Sequence, residues 1–371
     1  INFSRISFRA NMLPFILVFS FYFLMLGIRK NKWWLFAIGG FIFGAGIHTY
    51  IAFRIPPLIL VATLPFFIIS YDRFIKIYWK QFIIFLFFSI IAAAPMFYTF
   101  YVHPEYFESR SSSISVLSPQ VNHGNLIGTV LKTFSMSLAK YNFWGDQNWR
   151  HNYPPYPVLD PLMGIAFLFG LIYSFIKFFS LMKKRLVEKQ KNSNLPVYAF
   201  LLIWFLTMLV PEFMTAEGLP HALRSIGTLP VTIILAAFTF DYVYEKIRYL
   251  KPDHRKIISV VSIIIVLSIG CFNVIKYHYF WANKIETARS FEKTLIEISD
   301  YMKNVSYSKE IFVVTGNMQR VPLKVFNYDQ KNIAYLSPNE IDNLIPKTKH
   351  SFIIIMTEKN DDVISKLSQR F

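Results

Sequence analysis

Between Ala10 and Ile275 the chain repeats one pattern: an apolar run of about the length that crosses a bilayer as a helix, then a short polar break. Eight such stretches can be marked, at about Ala10–Ile28, Trp33–Phe53, Ile55–Ser70, Phe82–Tyr101, Pro161–Leu181, Leu195–Pro211, Ser225–Tyr244 and Ile257–Ile275. Arg54 and the pair Pro56-Pro57 separate the second stretch from the third, because proline ends one helix or starts the next. From Lys276 onward the pattern changes. Residues 283–304 read as an amphipathic helix, Glu310–Thr315 and Ser351–Thr357 as short apolar strands, and Pro338–Leu344 and Asp361–Gln369 as helices. Strand–helix–strand order predicts a small α/β domain. The expected architecture is therefore a membrane all-α domain over 1–275, with about eight transmembrane helices, and a soluble domain over 276–371.

Composition supports this division. Of the 371 residues 54% are hydrophobic, 18% are aromatic and 16% are charged, against about 25% charged in soluble proteins. One water-facing globule could not hide that much apolar surface, so a cytosolic enzyme, a disordered chain and a disulfide-stapled scaffold are excluded. The single Cys271 sits in an apolar run and has no partner for an internal disulfide.

The net charge of +17 could suggest nucleic acid, but its distribution indicates membrane topology instead. Basic residues crowd alternate connections: Arg29, Lys30 and Lys32; Arg73, Lys76 and Lys80; Lys183, Lys184, Arg185, Lys189 and Lys191; Lys246, Arg248, Lys251, Arg255 and Lys256. The intervening connections hold only Arg54, then Arg110, Lys132, Lys140 and Arg150, then Arg224. The positive-inside bias predicts that the rich loops are cytoplasmic. The N-terminal segment, the Arg54 corner, the 102–160 loop, the 212–224 loop and the C-terminal domain then face outward from a multi-pass protein of the cell membrane.

Most of the unusual polar residues fall on that outer side. Arg5 and Arg9 lie four apart, on one helical face; they either snorkel to lipid phosphate or fork an anionic headgroup. Gly44 and Gly46 permit close helix approach ahead of His48, Tyr50 and Arg54. His48 is read as a packing residue or as lining a cavity. Asn142–Pro154 interleaves Trp144, Asp146, Trp149, Arg150, His151 and Asn152. Gly145-Asp146 is a common turn pair, and rings beside planar polar groups also suit a sugar. Pro211–Arg224 packs Glu212, Glu217, His221 and Arg224 into one short connection, which could meet a pyrophosphate or a divalent ion.

Four segments carry a family resemblance: S-R-x-x-x-R (Ser4, Arg5, Arg9), G-x-G-x-x-x-Y-x-x-x-R-x-P (Gly44 to Pro56), G-D-x-x-x-R-H-N (Gly145 to Asn152) and P-H-x-x-R-x-I-G-x-x-P (Pro220 to Pro230). Over roughly 1–275 the chain resembles the multi-pass glycosyltransferases of the GT-C fold, in particular relatives of the dolichyl-phosphate-mannose–protein mannosyltransferases and the lipid A aminoarabinose transferase. The resemblance implies transfer of a sugar from a polyprenyl-phosphate donor to a glycan, lipid or protein acceptor on the outer face, with inversion. It implies an acidic catalytic base, often helped by a divalent cation, in an outer loop that would lie upstream of Ile1. It makes Arg5, Arg9, Arg54 and Arg224 candidates for the donor phosphate. His48, Tyr50, Asp146, Arg150, His151, Glu217 and His221 become candidates for the outer cavity, the acceptor or a metal. A transporter or flippase for lipid-linked sugars is the alternative, and would place polar groups near mid-membrane.

Overall fold

The computed structural model describes residues 2–6, 8–108, 114–247, 249, 252–305, 309–346 and 351–371. Arg110, Arg248 and Lys251 lie outside the described residues, as do the side chains of Ser4 and Arg255. The chain is mostly helical and divides into two compact units, Ile1–Tyr279 and Phe280–Phe371.

The first unit contains α1 (Asn2–Arg5), α2 (Met12–Lys30), α3 (Trp33–Ala45), α4 (Pro57–Ser70), α5 (Phe74–Val102), α6 (Glu105–Glu108), α7 (Pro119–Asn122), α8 (Leu126–Asn142), α9 (Pro161–Leu186), α10 (Leu195–Phe213), α11 (Leu229–Ile247) and α12 (Pro252–Ile275). Among the described residues, seven helical segments are long and apolar enough to cross a membrane: Arg9–Lys30, Ile51–Ser70, Phe74–Val102, Pro161–Leu186, Leu195–Phe213, Ile226–Ile247 and Lys256–Trp281. That is the make-up of a multi-pass membrane protein. Ile257, Val260, Ile263, Ile264 and Leu267 along α12 are exposed, an arrangement that suits hydrocarbon and not water.

The second expected stretch, Trp33–Phe53, is not one helix. Its α-helix stops at Ala45, and the apolar helix Trp33–His48 is shorter than the seven. The Thr49 hydroxyl donates to the Gly46 carbonyl at 2.7 Å, offering the backbone an alternative to the next helical turn. Tyr50 is extended, and Ile51–Arg54 forms a separate 3-10 turn. The α3–α5 crossing explains the preceding glycines: a Cβ on Gly40 or Gly44 would strike the Phe85 or Ser89 carbonyl. Ser89 Oγ donates to the Gly40 carbonyl at 2.9 Å across this contact. Gly44→Leu is expected to destabilise the chain by about 1–3 kcal/mol or more, because helix backbones must separate; a lowered unfolding midpoint in micelles checks it.

The connections sort to two ends of the bundle. At one end, Arg185 Nε donates to the Ile69 carbonyl at 2.7 Å, Tyr78 to the Ile28 carbonyl at 2.9 Å, and Lys191 pairs with Asp72. These contacts join three of the lysine- and arginine-rich connections. At the other end the basic-poor connections meet: Val116 N–H donates to the Met214 carbonyl at 3.0 Å, Ala222 N–H to Asp146 at 2.7 Å, and Asn273 to Asp160 at 3.0 Å.

In the second unit, α13 (Ile285–Ser290) and α14 (Lys293–Asn304) precede β1 (Glu310–Val314), α15 (Asn317–Phe326), β2 (Ile333–Leu336), β3 (Phe352–Met356) and α16 (Asp361–Arg370). The strands form a parallel sheet in the order β2-β1-β3. Central β1 is buried on both faces. Phe312 and Val314 pack with Ile341, Leu344, Val363 and Leu367, while Ile311 and Val313 pack with Leu295, Met302 and Leu323. The helix expected over 283–304 breaks after Ser290, with Glu292 at φ 54°. Pro338–Asn343 is a 3-10 helix closed by a Ser337–Glu340 capping box. Neither β2 nor α15 was an expected element.

Candidate functional site

The loop after α8 is built around Asp146. A Cβ at Gly145 would collide with the Tyr156 carbonyl, so only glycine lets the two strands of this loop close. Asp146 Oδ1 accepts from Asn148 N–H at 2.8 Å, an Asx turn that follows from Asp at this position. Asn152 Nδ2 donates to the Asp146 carbonyl at 3.1 Å and to the Tyr156 carbonyl at 2.7 Å. The turn therefore fixes a carboxylate that is 1% exposed.

Two other elements converge on that carboxylate. Asp146 Oδ2 accepts from Ala222 N–H at 2.7 Å and lies 2.8 Å from His151 Nδ1. His221, in the α10–α11 connection, brings its ring to 4.8 Å from the His151 ring. Phe3 and Phe8 cover His151 at ring distances of 5.5 and 5.7 Å. Asn11 holds their segment by donating to the Phe3 and Ile6 carbonyls. The Asp146, His151 and His221 ligand atoms all lie within 4.8 Å of one another.

His221 is anchored through its backbone, whose N–H donates to Glu212 Oε1 at 2.9 Å. Its Nδ1 is buried and has no hydrogen-bond partner. Burial, reinforced by the Arg224 charge and by His151 and only partly opposed by Asp146, pushes the imidazole down to about 4. The sign of the stability effect follows. Below about pH 6.5 the unfolded chain gains a proton that folded His221 refuses until about pH 4, so stability falls as pH drops through that window, by up to about 3 kcal/mol. Unfolding midpoints of chelator-treated chain at neutral and acid pH should show this slope, and His221→Gln should remove it.

Arg224 acts on His221, and Arg9 and Arg224 both act on Tyr50. Burial raises the Tyr50 hydroxyl pKa, and the Arg224 and Arg9 charges pull against that rise. Arg224 donates to the Glu217 carbonyl at 2.6 Å and to Glu217 Oε2 at 3.1 Å, so the two are placed as a pair. Arg5 is exposed at the end of α1, and Arg150 is exposed on the Asp146 loop.

Two candidates are engaged elsewhere. His48 Nε2 lies 2.8 Å from the Ala92 carbonyl of α5. Arg54 donates to the Phe107 carbonyl at 2.8 Å, with its guanidinium 4.0 Å from the Phe107 ring and 5.2 Å from the Phe100 ring. Both side chains therefore have partners on α5 and α6.

A buried ion pair lies directly behind the cluster. Lys140 of α8 and Glu212 of α10 are 2% and 0% exposed and paired, and Lys140 Nζ also donates to Ser225 Oγ at 2.6 Å. Burial alone would lower the Lys140 pKa; the Glu212 charge and neighbouring Tyr141 outweigh it, and the pKa is raised. Tyr141 OH and Thr228 Oγ1 are 2.6 Å apart beside them. The sequence signal was a lone acid closing one apolar run and a lysine in a polar loop, 72 positions apart, which no spacing rule connects.

No family model, curated protein or solved structure matches the chain. Function therefore rests on this geometry and on the motifs that meet in it.

Proposed function

We propose that this chain belongs to a membrane glycosyltransferase of the GT-C kind, which moves a sugar from a polyprenyl-phosphate donor to an acceptor on the outer face of a cell membrane. One observation carries the reading. The charges of Arg9 and Arg224 both act on the buried Tyr50 hydroxyl, and Arg224 acts also on His221 of the Asp146–His151–His221 cluster, at the end of the bundle away from the lysine-rich connections. All four motif segments contribute to it. In the proposed reaction the acceptor hydroxyl gives up its proton to a general base, and its oxygen forms a bond to the anomeric carbon. The bond from that carbon to the phosphate oxygen breaks, and polyprenyl phosphate leaves with the electron pair. Arg9 and Arg224 stabilise the charge that develops on the departing phosphate. The unit over 280–371 would stand on the same outer side.

The buried hydroxyls within the helices favour surface chemistry over passage. Ser20, Thr63, Ser89 and Ser174 all donate to backbone carbonyls at 2.6 to 2.9 Å, so these four hydroxyls are spent within the helices. The test is binding of polyprenyl phosphate to the full chain in nanodiscs, with polyprenol as the control. The reading expects saturable binding of the phosphate alone, and equal retention of both lipids would overturn it.

A further inference from the structure

The Asp146 carboxylate and the imidazoles of His151 and His221 form a convergent set of one oxygen and two nitrogen donors. Three features separate it from an ordinary buried hydrogen-bond cluster. First, the carboxylate is immobilised before any ligand arrives, by the N–H groups of Asn148 at 2.8 Å and Ala222 at 2.7 Å. Second, His151 Nδ1 already lies 2.8 Å from Asp146 Oδ2, so these two donors are held together before an ion arrives. Third, His221 Nδ1 is buried without a partner, a cost that the fold would normally remove. The neighbouring charges do not compete for the donors. Glu212 is neutralised by Lys140, and Arg224 is drawn toward Glu217. Phe3 and Phe8 shield one side of the set from water.

We propose that Asp146, His151 and His221 bind one divalent cation of the zinc class. Two imidazoles with one carboxylate suit a borderline ion better than Mg2+ or Ca2+, which prefer oxygen-only ligands. In a tetrahedral zinc site the ligand atoms stand about 3.4 Å apart. The observed spread of up to 4.8 Å closes with side-chain shifts of about 1 Å. Three protein donors leave a coordination position for water or a substrate oxygen. The ion would tie the loop after α8 to the α10–α11 connection. The zinc site can be tested apart from the transferase reading, since its ligands include none of the arginines assigned to the donor phosphate.

The experiment uses the full chain in detergent micelles, stripped with chelator and dialysed against zinc chloride, with zinc per chain measured by atomic emission. One zinc per chain is expected. His221→Gln should weaken zinc binding about tenfold or more, while Asp72→Asn, at the opposite end of the bundle, should leave it unchanged. His221 Nδ1 has no hydrogen bond to lose, so the Gln variant is expected to fold. Cobalt(II) loaded into the unaltered chain gives a reading that needs no variant: intense d–d bands are expected from a four-coordinate nitrogen and oxygen site. A wild-type chain that retains no zinc, or no more than His221→Gln retains, overturns the proposal, as does weak octahedral cobalt absorption. Neither readout involves lipid donor or activity, so failure here leaves the transferase reading standing, and the reverse also holds.

Discussion

Lys140→Met is expected to destabilise the chain by about 3–5 kcal/mol, one of the two largest effects of any single substitution considered. The reason is the charge left behind. Glu212 is fully buried, and its Oε2 partner is the Lys140 ammonium. Removing one member of a buried pair strands the other, which costs far more than the pair itself contributes. The double variant Lys140→Met/Glu212→Gln should therefore recover much of the loss. Gln keeps an oxygen to accept the His221 N–H, now found at 2.9 Å from Glu212 Oε1, and no net charge remains buried. Lys191→Met is the contrast. Its partner Asp72 and the lysine itself are 78% and 46% exposed, and such pairs are worth about 1 kcal/mol or less. Unfolding midpoints in micelles compare all three. Equal losses for Lys140→Met and Lys191→Met would show that the pair behind the site is not a structural requirement.

Arg224→Gln is expected to weaken polyprenyl phosphate binding roughly 10- to 100-fold. A hydrogen bond between charged groups contributes about 1.5–3 kcal/mol, and each 1.4 kcal/mol is a factor of ten in affinity. Arg9→Gln should act in the same direction, since both charges reach Tyr50. Lysine should rescue neither fully, because it cannot fork two phosphate oxygens. Arg54→Gln should change donor binding little, because its guanidinium is already held by the Phe107 carbonyl and ring. A large loss from Arg54→Gln with none from Arg224→Gln would relocate the donor phosphate to the α5–α6 corner. Binding isotherms in nanodiscs separate these outcomes.

The apolar helices could be read from the sequence because the bilayer length leaves a long, uninterrupted signal. Trp33–Phe53 looks continuous because Ile47, Ile51 and Phe53 keep it apolar, yet the Thr49 hydroxyl and the extended Tyr50 end the helix. Helix α8 carries no apolar signal because Lys132, Ser135, Ser137 and Lys140 break its apolar content; Ser137 and Lys140 turn inward instead, at 0% and 2% exposure. Strand β2 has four residues, too few for a period to register.

At the site, Asp146 and His151 are five residues apart and visible as one turn. Their junction with His221 depends on how α8, α9 and α10 pack, which local patterning does not encode. The same is true of Lys140 and Glu212. His48 and Arg54 show the converse: their residue types suggested a ligand, and only packing against α5 and α6 gives them structural partners.

The outward position of the Asp146 loop is tested most directly by labelling intact cells with a membrane-impermeant maleimide. The chain would carry Cys271→Ser with a single cysteine at Trp144 or at Lys184. Trp144→Cys should label from outside without permeabilisation, and Lys184→Cys should label only after it. The reverse pattern would contradict the account, because the Arg9–Arg224 end of the bundle would then face the cytosol.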